Sequence, residues 1–278
     1  AFKNVTIDAH CDINKFIKGV TSGDFDNDGW PDVFLSSLDG RKTLLRNKGI
    51  PGPGVDFEDV TGKAGLSNDL GATFPTGFFD YDNDGWLDLM MCNYDFDKAL
   101  SYYSAKEILH PSSDRSGKVS LYHNNRNGTF SNVSVAAGFT QTVFGMAANF
   151  GDIDNDGYLD LYFATGNPSY KSIIPNKLFR NIGGKRFADV TVSARVGNIQ
   201  KGHGVSFADL NNNGDQDIIV DLGGAYRGDA YHTSVYLNPG QNTNNWICLQ
   251  LEGSKSNRAA IGAKVTVKFT ENGVKRMV

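Results

Sequence analysis

Asp24, Asp26, Asp28 and Asp32 put four carboxylates into nine residues of one stretch, GDFDNDGWPD. The stretch recurs as FDYDNDGWLD from residue 79 and GDIDNDGYLD from residue 151, and a fourth form, ADLNNNGDQD, starts at residue 208. Carboxylates this close disfavour one another's ionised forms unless a cation lies among them. Counting from the first aspartate of each loop, side-chain oxygens stand at positions 1, 3, 5 and 9. They are Asp24, Asp26, Asp28 and Asp32, then Asp80, Asp82, Asp84 and Asp88, then Asp152, Asp154, Asp156 and Asp160, and last Asp209, Asn211, Asn213 and Asp217. Position 6 is glycine in all four copies, Gly29, Gly85, Gly157 and Gly214, as a sharp turn with positive φ requires. With a backbone carbonyl from position 7, supplied by Trp30, Trp86, Tyr158 or Asp215, each loop offers five or more hard oxygens. Calcium, which takes about six to eight oxygens, fits that set best.

Other ions fit less well. Magnesium keeps more of its waters, and zinc selects imidazole or thiolate. An EF-hand shares the first six positions but closes with a glutamate at position 12 on an entering helix. Here that position holds Leu35, Met91, Phe163 or Val220, so the loop joins two strands and position 9 closes it. Solvated acidic turns are the plainer alternative, and three near-identical copies with glycine in register argue against it. The asparagines at 211 and 213 remove two carboxylates, so the expectation is three strong calcium sites and one weaker. At dissociation constants of about 0.1 to 1 mM, millimolar calcium would add about 0.4 to 1.4 kcal/mol per site, enough for a stapling role.

The elements that must hold these loops repeat with them. First ligands are 56, 72 and 57 residues apart, the length of a four-stranded propeller blade. Each loop runs into an apolar segment, VFL, LMM, LYF or IIV, that reads as a buried strand. A third element follows, LLRN, LYHN, LFRN or VYLN, each ending in an asparagine suited to a turn, then FEDVT, FSNVS or FADVT with the alternation of an edge strand. Four antiparallel strands per unit at a fixed period predict an all-β protein, a β-propeller with calcium-binding strand-loop-strand motifs. The repeats span about 7–61, 62–134, 135–191 and 192–240, with the start of a further β segment over 241–278. Gly19, Pro75, Ala147 and Gly204 precede the loops by five residues and suit an inner strand near a crowded axis. The fourth unit lacks an F-x-D-V-T strand, while FKNVT at residues 2–6 has no unit of its own. Either this segment completes the fourth sheet, or the chain is part of a longer propeller.

Composition narrows the function classes. The formal charge of −4 is local, since each of the first three loops holds four of the 31 acidic residues and the last holds three. No basic stripe interleaved with aromatics suggests nucleic acid, and no apolar run is long enough for a transmembrane helix. Cys11, Cys92 and Cys248 are odd in number and far apart, without disulfide or zinc spacing. The start of the chain lacks the pattern of a signal peptide. No nucleophile elbow, phosphate loop or H-E-x-x-H stretch is present, and the five histidines are dispersed; His123 fills the slot that holds arginine elsewhere, and His203 stands near a predicted inner strand.

The D-x-D-N-D-G-x-x-D loops and their flanking strands resemble the FG-GAP/VCBS repeat of integrin-like β-propellers over residues 2 to about 240. Residues 244–267, through Trp246, Gly253, Ser256, Asn257, Arg258, Gly262 and Ala263, are similar to the start of the ASPIC/UnbV segment of the cartilage acidic protein family. The resemblance implies a calcium-binding module that is extracellular, at the cell surface or periplasmic, and that serves adhesion or protein interaction. It does not imply catalysis, although propellers of this type can host sugar-processing sites. Weak calcium sites point to the same location, because a calcium-poor cytosol would leave them empty. A carbohydrate-binding, lectin-like role is the nearest rival, since aromatic faces stack on sugars or anchor proteins equally well. The resemblance also implies more blades than four, hence a fragment.

Strand direction assigns the working surface. Acidic loops connect strands one and two, so the long two-to-three connections, 93–118, 166–177 and 223–233, lie at the opposite end and gather Tyr102, Tyr103, Tyr170, Tyr226 and Tyr231. These tyrosines are the expected contacts for a protein or glycan partner. KALSYYSAKEIL suits a short helix or a spacer, and residues 96–116 are expected to be removable with little loss of stability.

Overall fold

A computed structural model describes residues 2–52, 54–95, 97–109, 115–167, 173–224, 226–240, 244–254, 258, 260, 263, 265–271 and 273–277. The first sheet orders β1 (Ile17–Gly23), β2 (Asp32–Ser37), β3 (Thr43–Asn47) and β4 (Phe57–Asp59). The second orders β5 (Ala72–Phe79), β6 (Asp88–Tyr94), β7 (Val119–Asn124) and β8 (Phe130–Asn132). The third holds β9 (Gly145–Gly151), β10 (Asp160–Thr165), β11 (Lys177–Ile182) and β12 (Arg186–Asp189). Three strands make the fourth, β13 (Gly202–Ala208), β14 (Asp217–Leu222) and β15 (Ser234–Tyr236), and β16 (Lys268–Glu271) pairs with β17 (Val274–Met277) as a hairpin. Every pairing is antiparallel, and the described residues are all-β apart from α1 (Leu100–Leu109) and α2 (Thr191–Ala194).

The acidic stretches form the same hairpin four times, closed by Gly23 on Asp32, Phe79 on Asp88, Gly151 on Asp160 and Ala208 on Asp217. The apolar runs after them are the second strands, and every residue of β6 and β10 is buried. Such strands read as continuous hydrophobic runs because neighbouring sheets cover both faces. The first strands carry the sheets' mutual contact: β1 packs on β5, β5 on β9 and β9 on β13. Three apolar layers fill the junctions, built around Phe34, Phe78 and Leu89 in the first, Phe79, Leu121 and Phe163 in the second, and Tyr162, Ile218 and Val220 in the third. Gly19 permits the first approach, since a Cβ there would stand 2.6 Å from Phe74 O. The far faces of the end sheets are uncovered among the described residues, leaving Val20 64% and Val235 53% exposed.

Residues 2–6 form no strand. The segment turns through Thr6–His10 and sets Ala9 O on Phe57 N at 3.0 Å, as Ala64 O accepts Phe130 N at 3.0 Å and Ala137 O accepts Phe187 N at 2.8 Å. It therefore caps the first sheet, which corrects the reading that it completes the fourth. Connection 93–118 is not a removable spacer either. It carries α1, whose Tyr103 is buried against Tyr94 and Phe144, so losing residues 96–116 would uncover two aromatics and cost stability.

A buried ion pair ties the first two sheets together at the end away from the acidic loops. Lys42 Nζ donates to Asp69 Oδ1 at 2.7 Å and to the carbonyls of Asp69 and Gly71, and the Tyr122 hydroxyl donates to Asp69 Oδ2 at 2.9 Å. Burial alone would raise the Asp69 carboxyl, but the Lys42 ammonium and the Tyr122 hydroxyl hold it below the usual carboxylate range. Replacing Lys42 by methionine strands that carboxylate, and a loss of about 3 to 5 kcal/mol is expected in denaturant unfolding. A loss within experimental error would show that the pair does not join the sheets.

Candidate metal centres

Each loop is built by its own carboxylates. Asp24 accepts the backbone N–H groups of Asp28 (3.0 Å) and Gly29 (2.9 Å), and Asp28 Oδ1 accepts that of Trp30 at 2.9 Å. Asp80, Asp152 and Asp209 repeat the first pair, and Asp84, Asp156 and Asn213 repeat the second bond. Gly29, Gly85, Gly157 and Gly214 have φ of 92°, 85°, 88° and 91°. A Cβ at Gly29 or Gly85 would meet no atom within 4 Å, so backbone conformation and not crowding selects glycine.

Position 9 does more than close the loop. Asp32, Asp88, Asp160 and Asp217 are fully buried. Asp32 Oδ2 accepts the N–H of Phe25, inside the loop, and Oδ1 accepts that of Asn47, on β3 (3.1 and 2.8 Å). Asp88, Asp160 and Asp217 do the same with Tyr81 and Asn124, Ile153 and Asn181, and Leu210 and Asn238. Without a cation those of the first three loops are strained electrostatically. Burial and neighbouring carboxylates raise Asp32 to about 7 and Asp88 and Asp160 to about 8, against backbone hydrogen bonds that lower them.

Positions 1, 3 and 9 converge in the first three loops. Asp24, Asp26 and Asp32 place carboxylate oxygens within 4.8 Å of one another, as do Asp80, Asp82 and Asp88, and Asp152, Asp154 and Asp160. Position 5 is not among these trios, because it holds the turn and a basic side chain. Arg46 donates to Asp26 Oδ2 (2.5 Å) and Asp28 Oδ2 (2.9 Å), Arg180 bridges Asp154 and Asp156, and Arg126 holds Asp84 at 2.6 Å. His123 replaces arginine in the second sheet, with Nδ1 3.2 Å from Asp88 and 3.5 Å from Asp82. In the fourth sheet that slot is Leu237, opposite a loop with asparagine at 211 and 213. Basic residues stand only where the extra carboxylates do. The sequence shows arginine in this slot but assigns Arg46 and Arg180 no partner, although the variation from LLRN and LFRN to VYLN carries the signal.

The donor set fits calcium. Asp26 Oδ1 and Asp82 Oδ1 are buried and accept no hydrogen bond, which is costly for a carboxylate oxygen unless a cation meets it. The oxygens of positions 1, 3 and 9 would hold the ion, and the position-7 carbonyls would add to them. Calcium would supply the positive charge that the paired arginines only partly provide.

The remaining predicted residues lie elsewhere. Tyr102, Tyr226 and Tyr231 are about half exposed at the end opposite the loops, whereas Tyr103 anchors α1, a correction to its expected contact role. Tyr170 lies outside the described residues. Trp246 lies over Gly214, and Asn244 Nδ2 donates to Asp154 O at 3.0 Å, so the tail is fastened to the third and fourth loops.

A model of the FG-GAP-like repeat matches residues 24–91 and 95–163, so the chain contains two such repeats. No curated relative matches it. Among solved structures the chain is similar to a chain of the Photorhabdus luminescens Tc holotoxin pore, with 15% identity over 81% of this chain and 11% of that one. The TM-score of 0.24 carries no argument about fold, and this chain spans only about a tenth of the other.

The raised carboxyls set a pH dependence. Asp32, Asp88 and Asp160 titrate near 7 to 8 when folded and near 3.9 when unfolded. Between those limits the folded chain binds the extra protons, so metal-free stability falls as pH rises through about 7 to 8. Calcium needs the deprotonated forms. Its affinity is expected to be roughly ten-fold or more weaker at about pH 6 than at about pH 8, and calorimetry in buffers of different ionisation enthalpy should show proton release. Equal affinities across that range would contradict the role of position 9.

Proposed function

We propose that the chain forms consecutive blades of a calcium-stabilised, integrin-like β-propeller that serves adhesion or protein interaction outside the cell, at its surface or in a periplasm. One observation carries the reading: three loops of identical build converge carboxylates at positions 1, 3 and 9, with buried oxygens at Asp26 and Asp82 that no hydrogen bond meets. The FG-GAP-like match over residues 24–163 and the successive packing of antiparallel sheets support the propeller. In this reading the uncovered faces at Val20 and Val235 are where further blades of a longer propeller would pack, and residues 244–267 begin an ASPIC/UnbV-like segment. Among the described residues no helix is long and apolar enough to cross a membrane.

The working surface in this proposal is the end opposite the metals, through Tyr102, Tyr226 and Tyr231. The module binds and does not catalyse. A glycan is the second candidate partner, favoured by a cleft of about 400 Å³ at that end, lined by Asp69, Asn93, Arg115, Tyr122, Phe130 and Asn132. Its mixture of amides, charges and aromatic faces suits a polyhydroxylated ligand.

Calcium removal tests the stapling. Asp152→Ala is expected to lower the melting temperature by a few degrees more in millimolar calcium than in chelator, where only its two loop hydrogen bonds are lost, on the scale of roughly 2 to 4 °C per kcal/mol. Equal losses in both conditions would sink the stapling account. Partner capture should be lost in Tyr226→Ala and Tyr231→Ala and kept in Trp30→Ala, and the reverse pattern would move recognition to the metal end. Fractionation that finds the native pool wholly in the cytosol would contradict the location.

A further inference from the structure

The asparagine at position 4 of each of the first three loops reaches into the next loop. Asn27 Nδ2 donates to Gly85 O at 3.1 Å, Asn83 Nδ2 to Gly157 O at 2.7 Å, and Asn155 Nδ2 to Gly214 O at 3.2 Å and Asp215 Oδ1 at 3.0 Å. All three donors stand in the left-handed region, with φ of 57°, 58° and 53°. Glycine and aspartate also adopt that conformation readily, but only asparagine adds an amide donor to it. Asn212 keeps the same φ of 56° in the fourth loop, and no further acidic loop stands beside it among the described residues.

Position 4 lies between ligand position 3 and position 5, and its acceptor at position 6 directly precedes the carbonyl-donating position 7. One hydrogen bond therefore joins the ligand-bearing backbone of each loop to that of its neighbour, in the order one, two, three, four. We infer that Asn27, Asn83 and Asn155 are positioning residues that couple metal binding between adjacent loops. The inference rests on the calcium reading above. An ion that fixes the third loop holds Gly157 O in place for Asn83, which fixes the backbone between Asp82 and Asp84 before the second ion arrives. Linkage makes the effect reciprocal.

A second tie runs beside the first and must be separated from it. Asn181 Nδ2 donates both to Tyr81 O in the second loop and to Leu159 O in the third (2.8 and 3.2 Å), and Asn124 joins the first and second loops in the same way. Those bonds end on positions 2 and 8, outside the stretch from position 3 to position 7.

Calcium titration calorimetry on the full chain tests the coupling. Asp26→Ala and Asn211→Ala silence the first and fourth loops and leave two sites. Adding Asp82→Ala, which removes a carboxylate whose Oδ1 accepts no hydrogen bond, is expected to weaken calcium at the third loop about five-fold or more, a size common between linked sites. With Asn83→Gly, which keeps the left-handed backbone and removes the amide, third-loop affinity should be the same with or without Asp82. Asn212→Gly makes the same change without a tie and should leave both sites as they were. If Asp82→Ala fails to fold, as judged by melting in chelator, Asp82→Asn serves in its place. Dependence that persists in Asn83→Gly assigns coupling to Asn181 and overturns the inference, as does independence while Asn83 is present. If the two-site parent takes up no calcium, the metal reading itself fails, which is a distinct result.

Discussion

The buried aspartate at position 9 is the joint on which each repeat depends. Asp32, Asp88, Asp160 and Asp217 each use one oxygen for the second residue of their own loop and the other for an asparagine at or just past the end of the third strand. Loop, second strand and third strand are thereby fixed by one side chain. A fully buried carboxylate is an expensive joint unless its charge is met. In the first three repeats the neighbouring carboxylates of positions 1 and 3 raise that cost further, and a divalent cation at their meeting point would lower it. Such an ion and the fold would answer the same electrostatic constraint.

The same asparagine extends the joint between sheets. Asn124, Asn181 and Asn238 each donate to a carbonyl of the preceding loop and to one of their own, at 2.7 to 3.2 Å. With the apolar layers below and these amides above, a loop does not sit on its own sheet alone. Its geometry is shared with the sheets beside it, which is why stiffening the loops would stiffen the row of sheets. In the proposed function such a row would present its far end, with α1 and the exposed tyrosines, as a rigid platform.

Much of this was legible in the sequence because it is local. The ligand spacing, the positive φ of Gly29, Gly85, Gly157 and Gly214, and the buried second strands follow from residues within about ten positions of one another. What was missed lies across distance. Arg46 meets Asp26 and Asp28 from 20 and 18 residues away, and Asn181 meets Tyr81 from 100. Motif spacing cannot show such pairs. LLRN was read as a strand ending in a turn residue, which is true, but its arginine and asparagine act on other elements. Tyr103 was misplaced for a related reason: a tyrosine in a long connection suggests exposure, yet α1 turns one face of that connection onto Phe144. FKNVT has the pattern of an edge strand, yet it pairs with no strand and leaves Phe2 fully exposed; the contact with the first sheet comes from Ala9 in the turn that follows.

Diffraction from crystals grown in calcium would test the central claim most directly. The account predicts anomalous peaks in the first three loops, with oxygens of positions 1, 3 and 9 at about 2.3 to 2.6 Å from each ion and a weaker peak or none in the fourth. Loops that show no peak at millimolar calcium, with Arg46 and Arg180 alone meeting the carboxylates, would contradict it.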